Sequence, residues 1–212
     1  MLGLNPSEII SRIFTLLIAF SVHEFAHAWT ANFFGDDTPR LNGRLTLNPG
    51  AHLDPLGTLM LVVSGFGWAR PVPVNPYALQ RRSSLAMMWV SLAGPFSNFL
   101  LAIVAAIPLR LGLIPYVESS GPFPSLAEFL FTFIIINLSL MLFNLIPLAP
   151  LDGEKIASTV FPPSMARTMD TIRPYSPLIL MVLLFVMPSM GLDIIGWIMR
   201  PAMYGLLNLL GV

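Results

Sequence analysis

The chain has 212 residues, 55% of them hydrophobic and only 10% charged, with a mean hydropathy of +0.76 and a formal net charge of zero. Soluble domains carry roughly 25% charged residues, so this composition is that of a membrane protein. The lack of a basic block argues against nucleic acid as a partner, and the lack of cysteine excludes disulfides, thiolate metal sites and a cysteine nucleophile. With no internal repeat or long polar linker, a single integral-membrane domain over 1–212 is expected.

The first predicted helix covers residues 7–34 and stops at the turn cluster Gly35-Asp36-Asp37. It has no small-residue cleavage site after a charged start, so it reads as a retained span and not a signal peptide. Inside it lies His23-Glu24-Phe25-Ala26-His27, an H-E-x-x-H motif. Histidines four apart on a helix differ by about 40° in azimuth, so both imidazoles leave one face and could fill two corners of a tetrahedral zinc site. Glu24 stands beside them as a base for a metal-activated water. Ionisable groups in hydrocarbon cost several kcal/mol unless paired, ligated or hydrated, which makes function the default expectation here.

Residues 39–50 and 70–76 are short, β-leaning and rich in Pro and Gly. They predict a small membrane-associated β element confined to edge pairing. Between them, 56–67 is apolar but far shorter than the roughly 20 residues of a full span, which predicts a re-entrant helix. Residues 84–113 and 126–148 are long enough to cross, and 177–211 reads as a broken helix pair interrupted at Pro188–Gly191. The fold class expected is therefore an all-α polytopic membrane protein with about 5–6 transmembrane or re-entrant helices.

Positive charge sets the orientation. Arg40, Arg44, Arg70, Arg81 and Arg82 fall in 35–83, and Lys155, Arg167 and Arg173 in the expected 149–176 loop, whereas the 114–128 loop has no Lys or Arg. Both basic regions belong in the cytoplasm of a multi-pass cell-membrane protein. His23 and His27 then lie about two turns, roughly 10 Å, from the cytoplasmic end of the first helix.

A catalytic zinc takes three protein ligands and keeps a position open. His52 and several acids are candidates for the third. The most suggestive is Asp152, in the run from Asn144 through Pro147 and Pro150 to Gly153, which the topology brings down at a comparable depth. Asp152 is equally well suited to cap a helix starting near Gly153.

Two motifs, HEFAH at 23–27 and N-x-x-P-x-x-x-x-D-G at 144–153, resemble those of the site-2 protease family of intramembrane zinc metalloproteases, in its compact prokaryotic type without a PDZ domain. The run Ser91-Leu-Ala-Gly-Pro-Phe-Ser-Asn98 is similar to that family's A-G-P-x-x-N helix, and NGRLTLNPGAHLDPLG at 42–57 resembles a further segment. Glu154 departs from the pattern, since small residues are common after the LDG. The resemblance implies one Zn2+ per chain held by His23, His27 and Asp152, with Glu24 as general base. Asn144 would hold the substrate backbone or the developing oxyanion. The implied partners are the lipid bilayer and a membrane-protein substrate with a transmembrane helix, cleaved in or near its span by regulated intramembrane proteolysis.

Simpler roles stand beside these. Asn98 and Gly94 are expected as helix-packing residues and Arg81 and Arg82 as topology anchors. His52 lies in a loop between Asn48-Pro49 and Asp54-Pro55; it is expected either as a turn residue or as an auxiliary proton carrier near the cytoplasmic mouth. A metal-transporting or metal-sensing protein using the same His and Asp ligands is the alternative, and it requires further ligand-rich steps along a pore.

Overall fold

The computed structural model describes residues 5–57, 67–115, 117 and 121–212. Helix α1, Pro6–Phe33, starts with Pro6 in its first turn and with the Asn5 side chain accepting the Glu8 N–H at 2.9 Å. It stops just before Gly35, whose φ of +86° only glycine adopts at little cost. One-turn helices α2 (Thr38–Leu41) and α3 (Pro49–His52) follow, then α4 (Pro76–Arg82) and the long α5 (Ala86–Arg110). Helix α6, Leu126–Asn144, opens with a capping box between Ser125 and Glu128. Helix α7 (Asp152–Val160), a long rod α8 (Pro163–Ser189) and α9 (Ile194–Leu210) complete the chain. Helices α1, α5, α6 and α8 are long and apolar enough to cross a membrane, and α9 is a shorter apolar helix.

Helices α1, α5 and α6 form the central bundle. In α1 every fourth residue is buried: Ser7, Ser11, Thr15, Ala19, His23, His27 and Ala31. Large apolar side chains such as Phe14, Ile18, Trp29 and Phe33 point outward instead. This inversion of the soluble pattern is what bilayer packing favours, because lipid solvates the large side chains while small ones let backbones approach. Helix α5 carries a matching buried series, Ala86, Val90, Gly94, Asn98, Ala102 and Ala106. The i±4 ridges of the two helices thus face one another.

The structure departs from the sequence-based expectation in three places. Residues 39–50 and 70–76 form no strands; Pro39 and Pro49 lie in the first turn of the short helices α2 and α3, where a fixed φ and a missing N–H are tolerated. Among the described residues the only bridge in this region joins Leu53 to Ala69, beside an Arg70 N–H to His52 carbonyl bond of 2.7 Å. Second, 149–176 is largely helical and not a loop: α7 and the start of α8 occupy it. Third, the rod before the last break begins at Pro163 instead of 177; the break itself, Met190–Asp193 around Gly191 with φ +83°, overlaps the expected interruption at Pro188–Gly191. Most of the re-entrant helix expected over 56–67 lies outside the described residues.

Candidate metal centre

Helix α1 aims His23 and His27 at α5, and α7 brings Asp152 in from its first residue. The two Nε2 atoms are 3.0 Å apart, and each is 3.2 Å from Asp152 Oδ2. A tetrahedral zinc with ligands near 2.0–2.1 Å has donor-to-donor edges of about 3.3 Å, so these atoms outline one face of such a site. Asp152 follows Leu151, the residue that occupies the cap position, and makes no capping bond. Its carboxylate faces the two histidines and not the free N–H groups of the helix start.

Both histidines are oriented from behind. His27 Nδ1 lies 2.7 Å from the Val90 carbonyl and His23 Nδ1 lies 2.6 Å from Asn98 Oδ1. These partners can only accept, so each Nδ1 carries the proton and each Nε2 presents its lone pair. Gly94, between Val90 and Asn98, clears the space in front: a Cβ there would fall against both Nε2 atoms. A cradle of two imidazole nitrogens and a carboxylate oxygen, emptied of side chain at its open side, fits zinc.

Glu24 and Asn144 both line a cavity of about 430 Å³ that includes the three candidate ligands. Glu24 is buried and its Oε2 accepts the Val72 N–H at 3.1 Å. Val72 belongs to the extended run 67–75, which forms part of the cavity wall. Asn144 is half-buried at the end of α6, its Nδ2 donating to the Leu140 carbonyl at 2.9 Å. Helix α8 supplies an apolar wall through Pro177, Leu180, Met181 and Leu184.

His52 does not line this cavity. It is fully buried, with Nε2 2.7 Å from the Thr46 carbonyl and Nδ1 without a partner among the described residues. It closes the 46–52 turn, and the proton-carrier role has no support from its position. Sequence reasoning also missed several groups. Asn98 is the acceptor for His23 as well as a packing residue; Asn137, Val72 and the Val90 carbonyl were not singled out; and Arg44 does more than add to the positive charge of 35–83. Buried Arg44 donates through Nη1 to the carbonyls of Ala51 (2.6 Å) and Arg70 (3.1 Å), tying the 44–53 turn to the segment that contacts Glu24. Burial and the neighbouring Arg70 lower its pKa below the usual guanidinium value. A polar side chain within an apolar span was the available signal for the two asparagines.

The family model described as Peptidase family M50 matches residues 112–187, which contain Asp152 but not the H-E-x-x-H motif. Over 177 residues, 83% of this chain and 80% of the relative, the sequence is 45% identical to "Putative zinc metalloprotease YwhC" of Bacillus subtilis. The chain belongs to peptidase family M50. It is also 29% identical to "Putative zinc metalloprotease Rip2" of Mycobacterium tuberculosis over 199 residues, 92% of this chain and 72% of that one. The Rip2 relative of Mycolicibacterium smegmatis is 31% identical over 177 residues, 79% and 64% of the respective chains. No solved structure matches significantly. The chain is thus a multi-pass member of a peptidase family, with apolar helices long enough to cross a bilayer.

Proposed function

We propose that this zinc metalloprotease cuts other membrane proteins in or near their transmembrane segments, at the cytoplasmic side of the membrane. His23, His27 and Asp152 hold the zinc. A zinc ion bound there would supply Lewis-acid polarisation of a peptide carbonyl and would acidify water toward neutral pH. Glu24 takes the proton released from that water and passes it to the leaving amine, while the Val72 N–H fixes which of its oxygens is engaged. Asn144 holds the substrate backbone across the cavity.

The observation that carries this reading is the placement of a metal-ligand triangle and a buried glutamate on one cavity, walled by spans α1 and α6 and by the apolar side of α8. A helical substrate hides its amides in i→i−4 bonds and must unwind before a carbonyl can be attacked. The extended 67–75 run on the cavity wall is suited to holding such an unwound stretch by its backbone. The cytoplasmic side follows from the arginines of 35–83 and the basic residues of 149–176. Metal transport calls for successive ligand clusters, and His23-His27-Asp152 is the only such cluster among the described residues.

The test is reconstitution in liposomes with a single-span substrate. Glu24→Gln should keep one zinc per chain and lose cleavage by several orders of magnitude. Residual cleavage at a tenth of wild type would remove Glu24 from the chemistry. Cuts mapping only to soluble loops of the substrate would refute the intramembrane assignment.

A further inference from the structure

A chain of amides joins three helices behind His23, and its direction is fixed from the far end. Asn137 on α6 is fully buried and donates through Nδ2 to the Phe133 carbonyl at 2.8 Å. A peptide carbonyl can only accept, so Asn137 must turn its NH2 that way and its Oδ1 toward α5. There Oδ1 accepts from Asn98 Nδ2 at 2.9 Å. The other hydrogen of that nitrogen points at the Ala19 carbonyl of α1, 3.4 Å away, which again can only accept. Asn98 is itself fully buried and has only Oδ1 left for His23. An Asn amide is nearly symmetric in shape, and nothing about its packing alone would choose one orientation over the flipped one. Here two backbone carbonyls make the choice.

We propose that Asn137, which neither lines the cavity nor touches His23, is a positioning residue for the metal site. It holds the Asn98 amide unflipped, and so holds the His23 proton on Nδ1 and the Nε2 lone pair toward the metal. Without the Asn137 acceptor, only the long 3.4 Å contact to the Ala19 carbonyl opposes rotation, and Asn98 can turn to offer NH2 to His23 Nδ1. That stabilises the tautomer protonated on Nε2, which cannot ligate. His27 is held by the Val90 backbone carbonyl on a separate path and is unaffected. This inference rests on the assignment of His23 as a zinc ligand.

The chain has only three histidines, so its imidazole 15N spectrum is readily assigned. Zinc affinity by chelator competition and 15N-histidine spectra of the zinc-loaded protein in nanodiscs together form the test. Asn137→Leu should weaken zinc binding about 10–100-fold, the scale for losing an outer partner of a metal ligand. Only the His23 signals should shift. Asn137→Asp should stay within about threefold of wild type, because its neutral carboxyl presents the same donor to Phe133 and the same acceptor to Asn98. Should the leucine variant not fold, Asn137→Ser carries the same expectation, since its hydroxyl can satisfy Phe133 but is too short to reach Asn98. Unchanged zinc affinity in Asn137→Leu or Asn137→Ser would overturn the relay. So would equal shifts at His23 and His27, or equal losses in the Asp and Leu variants. Failure of the underlying ligand assignment looks different: wild-type His23 Nε2 would show no metal-bound shift.

Discussion

Gly94→Ala is the sharpest test of the centre, because alanine would ordinarily suit the middle of a helix better than glycine. A Cβ built on Gly94 lies 2.6 Å from both His23 Nε2 and His27 Cε1, and closer still to His27 Nε2. Ordinary contact needs about 3.5 Å, so the imidazoles must retreat by about 1 Å. Neither can do so cheaply: His23 is held by Asn98 and His27 by Val90. Zinc tolerates only about 0.2 Å of error in its ligand distances. The expected loss of zinc affinity is therefore greater than the ~10–100-fold typical of an outer partner. Fold stability should change little, since helix propensity gains about 1 kcal/mol and overpacking costs about 1–3 kcal/mol. The assay is zinc content and chelator competition on purified protein, alongside thermal unfolding of the metal-free form. A Gly94→Ala protein that binds zinc with wild-type affinity would refute the geometry. A protein that is metal-free because it is unfolded would instead show Gly94 to be a packing residue alone.

Three further outcomes are expected. Asp152→Asn should lower zinc content and cleavage together while the unfolding temperature of the metal-free protein stays near wild type, since Asp152 caps nothing; a full complement of zinc would dismiss it as a ligand. Arg44→Met should release the Ala51 and Arg70 carbonyls and loosen the Val72 contact to Glu24, reducing kcat/KM about tenfold with zinc retained; an equal fall in zinc content would place its effect on the fold. His52→Ala should destabilise the protein by about 1–3 kcal/mol through the bond lost at Thr46, leaving turnover per folded molecule near wild type; a tenfold slower turnover would return His52 to the site.

Those elements that depend on local chemistry were legible in the sequence. The limits of α1 follow from Asn5-Pro6 and Gly35, and the start of α6 from Ser125 and Glu128, because caps and turns are settled within a few residues. The candidate ligand pair and candidate base were legible because H-E-x-x-H is itself a statement about one helix face. Where two local structures want the same residues, the sequence was silent. Pro39 and Pro49 suit an edge strand or a helix start equally well. Asp152 suits a cap or a ligand. Lys155, Arg167 and Arg173 made 149–176 look like a connecting loop, yet α7 and α8 place these residues on helices that lie partly outside the core. The contacts that organise the site were not legible at all. His23 to Asn98 spans 75 positions and Glu24 to Val72 spans 48, and no periodicity encodes a pairing at that distance.

The i+4 series of α1 and α5 explain why the pairing is nevertheless specific. Ala19, Ala28, Ala31, Ala86, Ala102 and Ala106 are small enough to pack in several registers, one helical turn apart. A slide of one turn, about 5.4 Å, would cost such residues little in packing. It would, however, carry Asn98 away from His23 and Val90 away from His27, and put side chains where Gly94 now leaves room. Each buried polar group left unpaired costs about 1–3 kcal/mol, and three would be stranded: the two Nδ1–H groups and the Asn98 amide. The same polar residues that hold the imidazoles for the metal therefore set the register of the two spans. The face of α1 that carries the candidate ligands and its packing face are one stripe, so a substitution on that stripe should disturb metal binding and helix packing together, whereas Gly94 on α5 and Asn137 on α6 reach the same imidazoles from outside it.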